Sequence, residues 1–165
     1  MRLYIMRHGQ AEPGGGCPDS ERSLTAGGND ELNVVGEGLR ALGVEVELVA
    51  HSPLVRTTQT AEVMSKFLGA KAGLLRVASL APGARPEIIF KEVIGLSEFN
   101  ALMTVGHAPD VSIFSHYALA GGHGSAFNFL PGSIACIDFV GEVSPGRGKL
   151  VWFMTPSEFQ NLVAG

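Results

Sequence analysis

Three short apolar runs in this chain each stop at polar or charged residues and lead into a segment with helical spacing. The runs are Leu3 to Met6, Val46 to Ala50 and Ala101 to Val105. They end at Arg7-His8-Gly9, at His51-Ser52-Pro53 and at Gly106-His107. Short apolar runs bounded by turn residues are typical of buried strands. Because helices separate them, the strands are predicted to pair in parallel, which requires a crossover connection.

Further helices and strands are predicted along the rest of the chain. The predicted helices begin near Thr25, after Pro53, after Pro86, at Val111 and at Thr155, and the further strands span 74–80, 134–140 and 150–154. The last helix starts with a capping box, Thr155-Pro156-Ser157-Glu158, with proline at the first helical position. This order predicts a three-layer α/β/α sandwich with a mostly parallel central sheet. We expect a single domain over residues 1–165.

The composition argues against nucleic-acid and membrane partners. Hydrophobic residues make up 45% of the chain and charged residues 17%, which favours a well-buried core. The net charge of −4 and the lack of a basic stripe argue against nucleic-acid binding. No apolar run is long enough for a membrane span or a signal-peptide core. We therefore expect a cytoplasmic protein in which Cys17 and Cys136 are reduced thiols.

The polar residues after the three runs are predicted to share one edge of the sheet. Ligands of open parallel sheets bind outside the carboxyl ends of the strands. Two arginines, Arg7 and Arg56, and two histidines, His8 and His107, would meet there. Arginine presents a planar fork that matches phosphate oxygens, and helix N-termini add partial positive charge. The sequence therefore predicts a pocket for a phosphate dianion.

We expect this pocket to work without a metal ion or another cofactor. The chain shows no acidic cluster or cysteine pair with the spacing of metal ligands. The charge of phosphate would then be neutralised by side chains. An arginine–phosphate pair at about 4 Å contributes roughly 4 kcal/mol at an effective dielectric constant near 20.

Three motifs together resemble the histidine phosphatase superfamily. They are Met6-Arg7-His8-Gly9, the segment Ser52-Pro53-Leu54-Val55-Arg56-Thr57-Thr58-Gln59-Thr60, and Val105-Gly106-His107. The short length, and Arg22-Ser23-Leu24-Thr25 before the first helix, look most like the SixA-type phosphohistidine phosphatases of that superfamily. The resemblance covers essentially the whole chain and implies a phosphoglycerate mutase-like fold.

The resemblance also implies roles for individual residues. His8 would be the nucleophile that becomes transiently phosphorylated, and Arg7, Arg56 and His107 would complete the phosphate pocket. Gly9, Arg22 and Ser52 are assigned to substrate binding, although Arg22 is as well explained by capping of its loop. The implied partner is a phosphohistidine-bearing protein such as a histidine phosphotransfer domain, with inorganic phosphate as the product.

One departure from the superfamily bears on the substrate. Its larger ester-cleaving members place an acidic residue after the third strand to protonate the leaving alcohol, whereas residues 79–84 of this chain contain no carboxylate. Such an acid typically contributes about 10²- to 10⁴-fold. Imidazole is a better leaving group than an alkoxide, so the sequence favours a phosphorus–nitrogen bond. Four carboxylates in or near loops leave this inference open, namely Glu12, Asp19, Glu21 and Glu87.

Two alternative functions remain at this point. The chain fits a small-molecule phosphomonoesterase of the same superfamily if a loop carboxylate faces His8. It also fits a phosphate- or phosphoprotein-binding module without turnover. We interpret His51, His116 and His123 as bystanders, and we expect the segment Phe127-Asn128-Phe129 to form the rim that meets a protein substrate.

Overall fold

The computed structural model describes all 165 residues and contains six strands and five α-helices. The strands are β1 (Arg2–Arg7), β2 (Leu48–His51), β3 (Leu74–Arg76), β4 (Ala101–Gly106), β5 (Ile134–Asp138) and β6 (Lys149–Met154). The helices are α1 (Ala26–Ala41), α2 (Val55–Leu68), α3 (Pro86–Gly95), α4 (Asp110–Ala120) and α5 (Pro156–Ala164). Single 3₁₀ turns lie at Asp19–Glu21 and Ala78–Leu80.

The strands form one sheet in the order β3-β2-β4-β1-β5-β6. The pairs β1–β4, β2–β4 and β2–β3 are parallel, and β5 is antiparallel to both of its neighbours. The carboxyl ends of β1, β2, β3 and β4 therefore share one edge. This arrangement confirms the predicted α/β fold with a mostly parallel central sheet.

The two faces of the sheet are covered by different helices. Alternate residues of β1 point to opposite faces, so Leu3 and Ile5 join the core beneath α3 and α4. Tyr4 and Met6 join the core beneath α1, α2 and α5. The largest buried side chains on the two faces are Phe90, Phe114 and Phe159. Together the two cores give the predicted three layers.

Several predicted element boundaries differ from the observed ones. The second strand begins at Leu48 rather than Val46, and the strand predicted over 74–80 ends at Arg76. The amide of Val77 still donates to the carbonyl of His51, after which the chain turns into a 3₁₀ turn. The strand predicted over 134–140 ends at Asp138. Strand ends depend on the neighbouring strand, which local sequence does not reveal.

The predicted caps of the first and last helices are present. The Thr25 hydroxyl oxygen accepts from the amide of Gly28 at 2.9 Å, and the Glu158 carboxylate accepts from the amide of Thr155 at 2.6 Å. None of the helices is long and apolar enough to cross a membrane.

Candidate active site

Strand register brings His8 and His107 together. Arg7 is paired with Gly106 in the β1–β4 ladder, so the next residue of each strand is a histidine. The amide of His8 also donates to the carbonyl of Gly106 at 3.1 Å. As a result, the centres of the two imidazole rings lie 5.2 Å apart, although 99 positions separate them in the sequence.

Hydrogen bonds select one neutral tautomer of His8. Nδ1 lies 2.7 Å from the carbonyl oxygen of Gly9, which can only accept, so Nδ1 carries the proton. Arg56 donates from Nε to Nε2 over 3.2 Å, so Nε2 carries a lone pair. The ring is 6% exposed, and burial, helped by the charges of Arg56 and Arg7, lowers the pKa of His8 to about 4. His8 is therefore neutral at pH 7, with the unprotonated nitrogen Nε2 facing Arg56.

Arg56 lies in the first turn of α2 and connects the two histidines. Its Nε faces His8, and its Nη2 donates to Nδ1 of His107 at 3.2 Å. Nη1 also donates to the carbonyl oxygen of Asp19 at 2.7 Å, and Nη2 also donates to the Asp19 carboxylate at 3.0 Å. The side chain is 5% exposed. A fixed cation thus lies against both imidazole rings.

Ser52 holds the ring of His107 through a hydrogen bond. Because Arg56 can only donate, Nδ1 of His107 is unprotonated and Nε2 carries the proton. That Nε2–H donates to the hydroxyl oxygen of Ser52 at 2.8 Å. Burial, with added repulsion from His8 and Arg56, lowers the pKa of His107 to about 3. Substrate contact by Ser52 stays a prediction; in this structure the residue is fully buried and its hydroxyl contacts His107.

Arg7 places a second positive charge at the site, and its Nε–H donor has no hydrogen-bond partner. Its Nη1 donates to the carbonyl oxygen of Phe129 at 2.7 Å, while its Nε is buried without a hydrogen-bond partner. Burial and the charge of Arg56 lower its pKa. Phe129 itself is buried, so the predicted rim is exposed mainly at Asn128.

Gly9 is held by the helix that carries Arg56. Its amide donates to the hydroxyl oxygen of Thr60 at 3.1 Å, and that hydroxyl donates to the carbonyl of Arg56 at 2.7 Å. A Cβ at Gly9 would lie 2.7 Å from Leu32, so no larger residue fits without movement. Substrate contact by Gly9 stays a prediction; its observed hydrogen bonds are with Thr60 and with the ring of His8. Thr60 was missed by sequence reasoning, although it lies one helical turn after Arg56.

Of the four loop carboxylates named from the sequence, only Asp19 contacts the site. Its Oδ1 lies 3.5 Å from Nε of Arg22, and Arg56 holds the pKa of its carboxyl below the usual range. Glu87 instead forms an exposed ion pair with His123 at 3.2 Å. Glu12 and Glu21 form no side-chain hydrogen bond or ion pair. Asp19 is therefore the one carboxylate among the four that contacts the arginines of the site, and its interaction with Arg56 favours the ionised form.

Two large cavities lie away from these residues, and a third lies beside Arg7. Two cavities of about 450 and 430 Å³ open at the opposite edge of the sheet, beside Ala101 at the start of β4. A groove of about 590 Å³ runs beside Arg7 and is lined by Pro109, Ser125, Phe127 and Asn128. No group of three or more histidine, cysteine, aspartate or glutamate side chains is arranged to hold a metal ion.

The assembled residues suit transfer of a phosphoryl group. His8 presents a neutral ring with a free lone pair, of the kind that can act as a nucleophile, and the charges of Arg56, Arg7 and Arg22 act on it. His107 contacts the same Arg56 guanidinium, through Nη2. Such preorganised donors stabilise charge on phosphoryl oxygens in the transition state.

Comparison with known proteins agrees with this geometry. Residues 3–76 match the model of the histidine phosphatase superfamily (branch 1). The chain is 30% identical over 121 residues to the phosphohistidine phosphatase SixA of Escherichia coli, covering 73% of this chain and 70% of that protein. A solved structure of the protein histidine phosphatase SixA complexed with tungstate has a TM-score of 0.85 and 26% identity, covering 96% of this chain and 99% of that chain.

The same fold also occurs in a small-molecule phosphatase. The alpha-ribazole phosphatase from Shigella flexneri has a TM-score of 0.74 at 15% identity, covering 94% of this chain and 97% of that one. The SixA likeness, in contrast, extends to sequence as well as fold. This chain is therefore a phosphatase that belongs to the histidine phosphatase superfamily and is of the SixA type.

Proposed function

We propose that this phosphatase hydrolyses phosphohistidine on a partner protein, through a phospho-His8 intermediate and without a metal ion. The observation that carries the proposal is that Asp19, the one carboxylate that contacts the site, is held in its ionised form. Asp19 is bound to Arg56, which favours its ionised form, so it has no proton to give to a leaving alcohol. A leaving group that needs no such acid suits this pocket.

In the first step, Nε2 of His8 attacks phosphorus and the bond between phosphorus and the substrate imidazole breaks. When the other ring nitrogen of the substrate carries a proton, the imidazole leaves as a neutral base whose conjugate acid has a pKa of about 6.5. An alcohol would leave as a much stronger base. The phosphoryl oxygens accept hydrogen bonds from Arg56, whose guanidinium lies against both His8 and His107.

In the second step, water attacks the phosphorus of phospho-His8. Nδ1 of His8 keeps its proton and donates it in a hydrogen bond to the carbonyl oxygen of Gly9. Phosphorylation at Nε2 therefore produces a cationic ring. This ring departs from phosphorus as neutral His8, for the same reason that the substrate imidazole departs in the first step. The water loses one proton to solvent, and inorganic phosphate is released.

The surface beside the pocket supports a protein substrate. The groove next to Arg7 continues the site past Pro109 to Asn128, and its volume of about 590 Å³ exceeds what a phosphorylated imidazole alone would fill. We propose that it accepts residues flanking the phosphohistidine, as on the helix of a histidine phosphotransfer domain. Such signalling relays are cytoplasmic, and we propose the same location for this phosphatase.

The test compares turnover of a phosphohistidine protein with turnover of a panel of phosphate esters, in the presence of a chelator. We expect rapid phosphate release from phosphohistidine, slow release from esters and no release by His8→Ala. A preference for esters would contradict the argument from the missing acid and favour a phosphomonoesterase. Absence of turnover with every substrate would favour the binding module.

The intermediate is tested separately. Intact-protein mass spectrometry after a rapid alkaline quench is expected to show one added phosphoryl group on the wild type and none on His8→Ala. His123→Ala is the matched control, because this exposed histidine contacts only Glu87. Phosphorylation that persists in His8→Ala would contradict the assignment of the nucleophile.

A further inference from the structure

The Asp19 carboxylate lies between two arginines of the phosphate pocket. Oδ2 accepts from Nη2 of Arg56 at 3.0 Å, and Oδ1 lies 3.5 Å from Nε of Arg22. The backbone carbonyl of Asp19 accepts from Nη1 of the same Arg56 at 2.7 Å. The protein's own anion thus uses cations that a bound phosphate would need.

Arg56 has little donor capacity left in this arrangement. A guanidinium carries five N–H donors. Four hydrogen bonds use these donors here, two to Asp19 and one each to His8 and His107. A phosphate that binds Arg56 through two parallel bonds must displace some of these partners. The carboxylate repels phosphate, whereas the neutral imidazoles do not. Release of Asp19 therefore favours phosphate binding more than release of either histidine.

The segment that carries Asp19 is suited to such a movement. The 3₁₀ turn Asp19–Glu21 contributes no buried residue, and the Asp19 side chain is 61% exposed. The preceding loop is glycine-rich over Gly14 to Gly16. Few contacts therefore oppose a shift of this turn away from Arg56.

We propose that Asp19 is an internal competitor for phosphate, which the phosphoryl group displaces from Arg56 and Arg22 when it binds. Competition lowers the apparent affinity for every phosphate species in proportion to the fraction of molecules in which Asp19 is released. Product phosphate is held less tightly, so it leaves faster. The inference rests on the phosphate pocket of the proposed function but not on the identity of the phosphorylated substrate.

Calorimetric titration with inorganic phosphate tests the competition directly. Asp19→Asn keeps the size of the side chain and an acceptor oxygen but removes the charge, and Asp19→Ala removes both. We expect both variants to bind phosphate about three- to tenfold more tightly than the wild type, the range expected for a half-exposed ion pair. In turnover assays, KM is expected to fall and kcat to fall with it if product release limits the rate.

Glu21→Gln is the matched control, because Glu21 lies in the same turn and forms no ion pair. It removes the same charge without breaking a contact. Equal tightening in Asp19→Asn and Glu21→Gln would overturn the proposal in favour of a general charge effect. Weaker phosphate binding in the Asp19 variants would also overturn it, because Asp19 would then position Arg56 for phosphate. Absence of phosphate binding in all variants would overturn the inference together with the pocket.

A cysteine in the same loop reports the movement in the wild-type chain. Cys17 is exposed and lies two residues before Asp19, whereas Cys136 is buried and unreactive by comparison. We expect saturating phosphate to change the alkylation rate of Cys17. In Asp19→Ala, which removes both the charge and the acceptor oxygen, that rate is expected to approach the rate of the phosphate-saturated wild type without added phosphate. A rate unaffected by phosphate in the wild type would contradict displacement of the turn.

Discussion

The hydroxyl oxygen of Ser52 lies 2.8 Å from Nε2 of His107, and both residues are buried. This bond leaves Nδ1 of His107 to face Arg56. The family resemblance implies substrate binding for this serine, and the contact that its hydroxyl makes in the structure is with a histidine. The same pattern recurs at Gly9, which is bonded to Thr60 and orients His8.

Replacement of Ser52 by alanine is expected to lower kcat about tenfold with little change in KM. The lost hydrogen bond is worth about 1 kcal/mol, and the Nε2–H of His107 is left without its partner. Steady-state kinetics with the preferred substrate measure the effect. Ser52→Thr restores a hydroxyl and is expected to recover part of kcat. Equal impairment of both variants would indicate a packing role only.

Replacement of Arg56 by lysine is expected to lower kcat/KM by about 10²- to 10³-fold. An ammonium group cannot reproduce the planar fork that reaches His8 and His107 together, so the charge remains but its geometry is lost. Arg76→Lys is the control, since Arg76 is exposed at the end of β3. Near-wild-type activity of Arg56→Lys would show that charge alone suffices.

As the pH is lowered, kcat/KM is expected to decrease only at pH values well below 6.5. The nucleophile is active when unprotonated, and burial lowers the pKa of His8 to about 4. Activity at about pH 5.5 should therefore stay near its neutral value after subtraction of uncatalysed hydrolysis, as long as the protein remains folded. An apparent pKa near 6.5 in the free enzyme would contradict the neutral state of buried His8.

Stability is expected to decrease as the pH falls below 6.5. The pKa values of His8 and His107 lie near 4 and 3 in the folded state and near 6.5 in the unfolded state. The unfolded chain therefore binds more protons in this window, and stability rises with pH by about 1.4 kcal/mol per pH unit for each histidine. Urea denaturation between pH 7 and 5 measures the slope. His8→Asn should have a shallower slope, and an unchanged slope would contradict this account.

Replacement by alanine is expected to have opposite effects on stability at two glycines of α1. A Cβ at Gly36 would lie 2.3 Å from the ring of Phe67 on α2, whereas a Cβ at Gly27 would meet nothing within 4 Å. Gly36→Ala is expected to cost about 1–3 kcal/mol through overpacking. Gly27→Ala is expected to add about 0.5 kcal/mol, because alanine loses less backbone entropy. Denaturant titration of both variants checks the pair, and stabilisation by Gly36→Ala would contradict the packing of α1 on α2.

Local sequence was a good guide to the elements and to the edge where the chemistry lies. Apolar runs and caps predicted five helices and the strands, and the residues after β1, β2 and β4 were predicted to converge. This works because strand and helix periodicity is a local property, and because parallel strands place their carboxyl ends together. The boundaries of β2, β3 and β5 were less accurate, since pairing with neighbours decides them.

The sequence by itself determined the sandwich, the three motifs that end the strands and the family resemblance, because each depends on residue type and order along the chain. The tertiary structure decided which side chains bond to one another. Ser52 binds His107 across 55 positions, and Asp19 binds Arg56 across 37. Hydrogen bonds form only within about 3.5 Å. Whether two distant residues come that close is decided by strand register and loop packing, which local pattern does not encode.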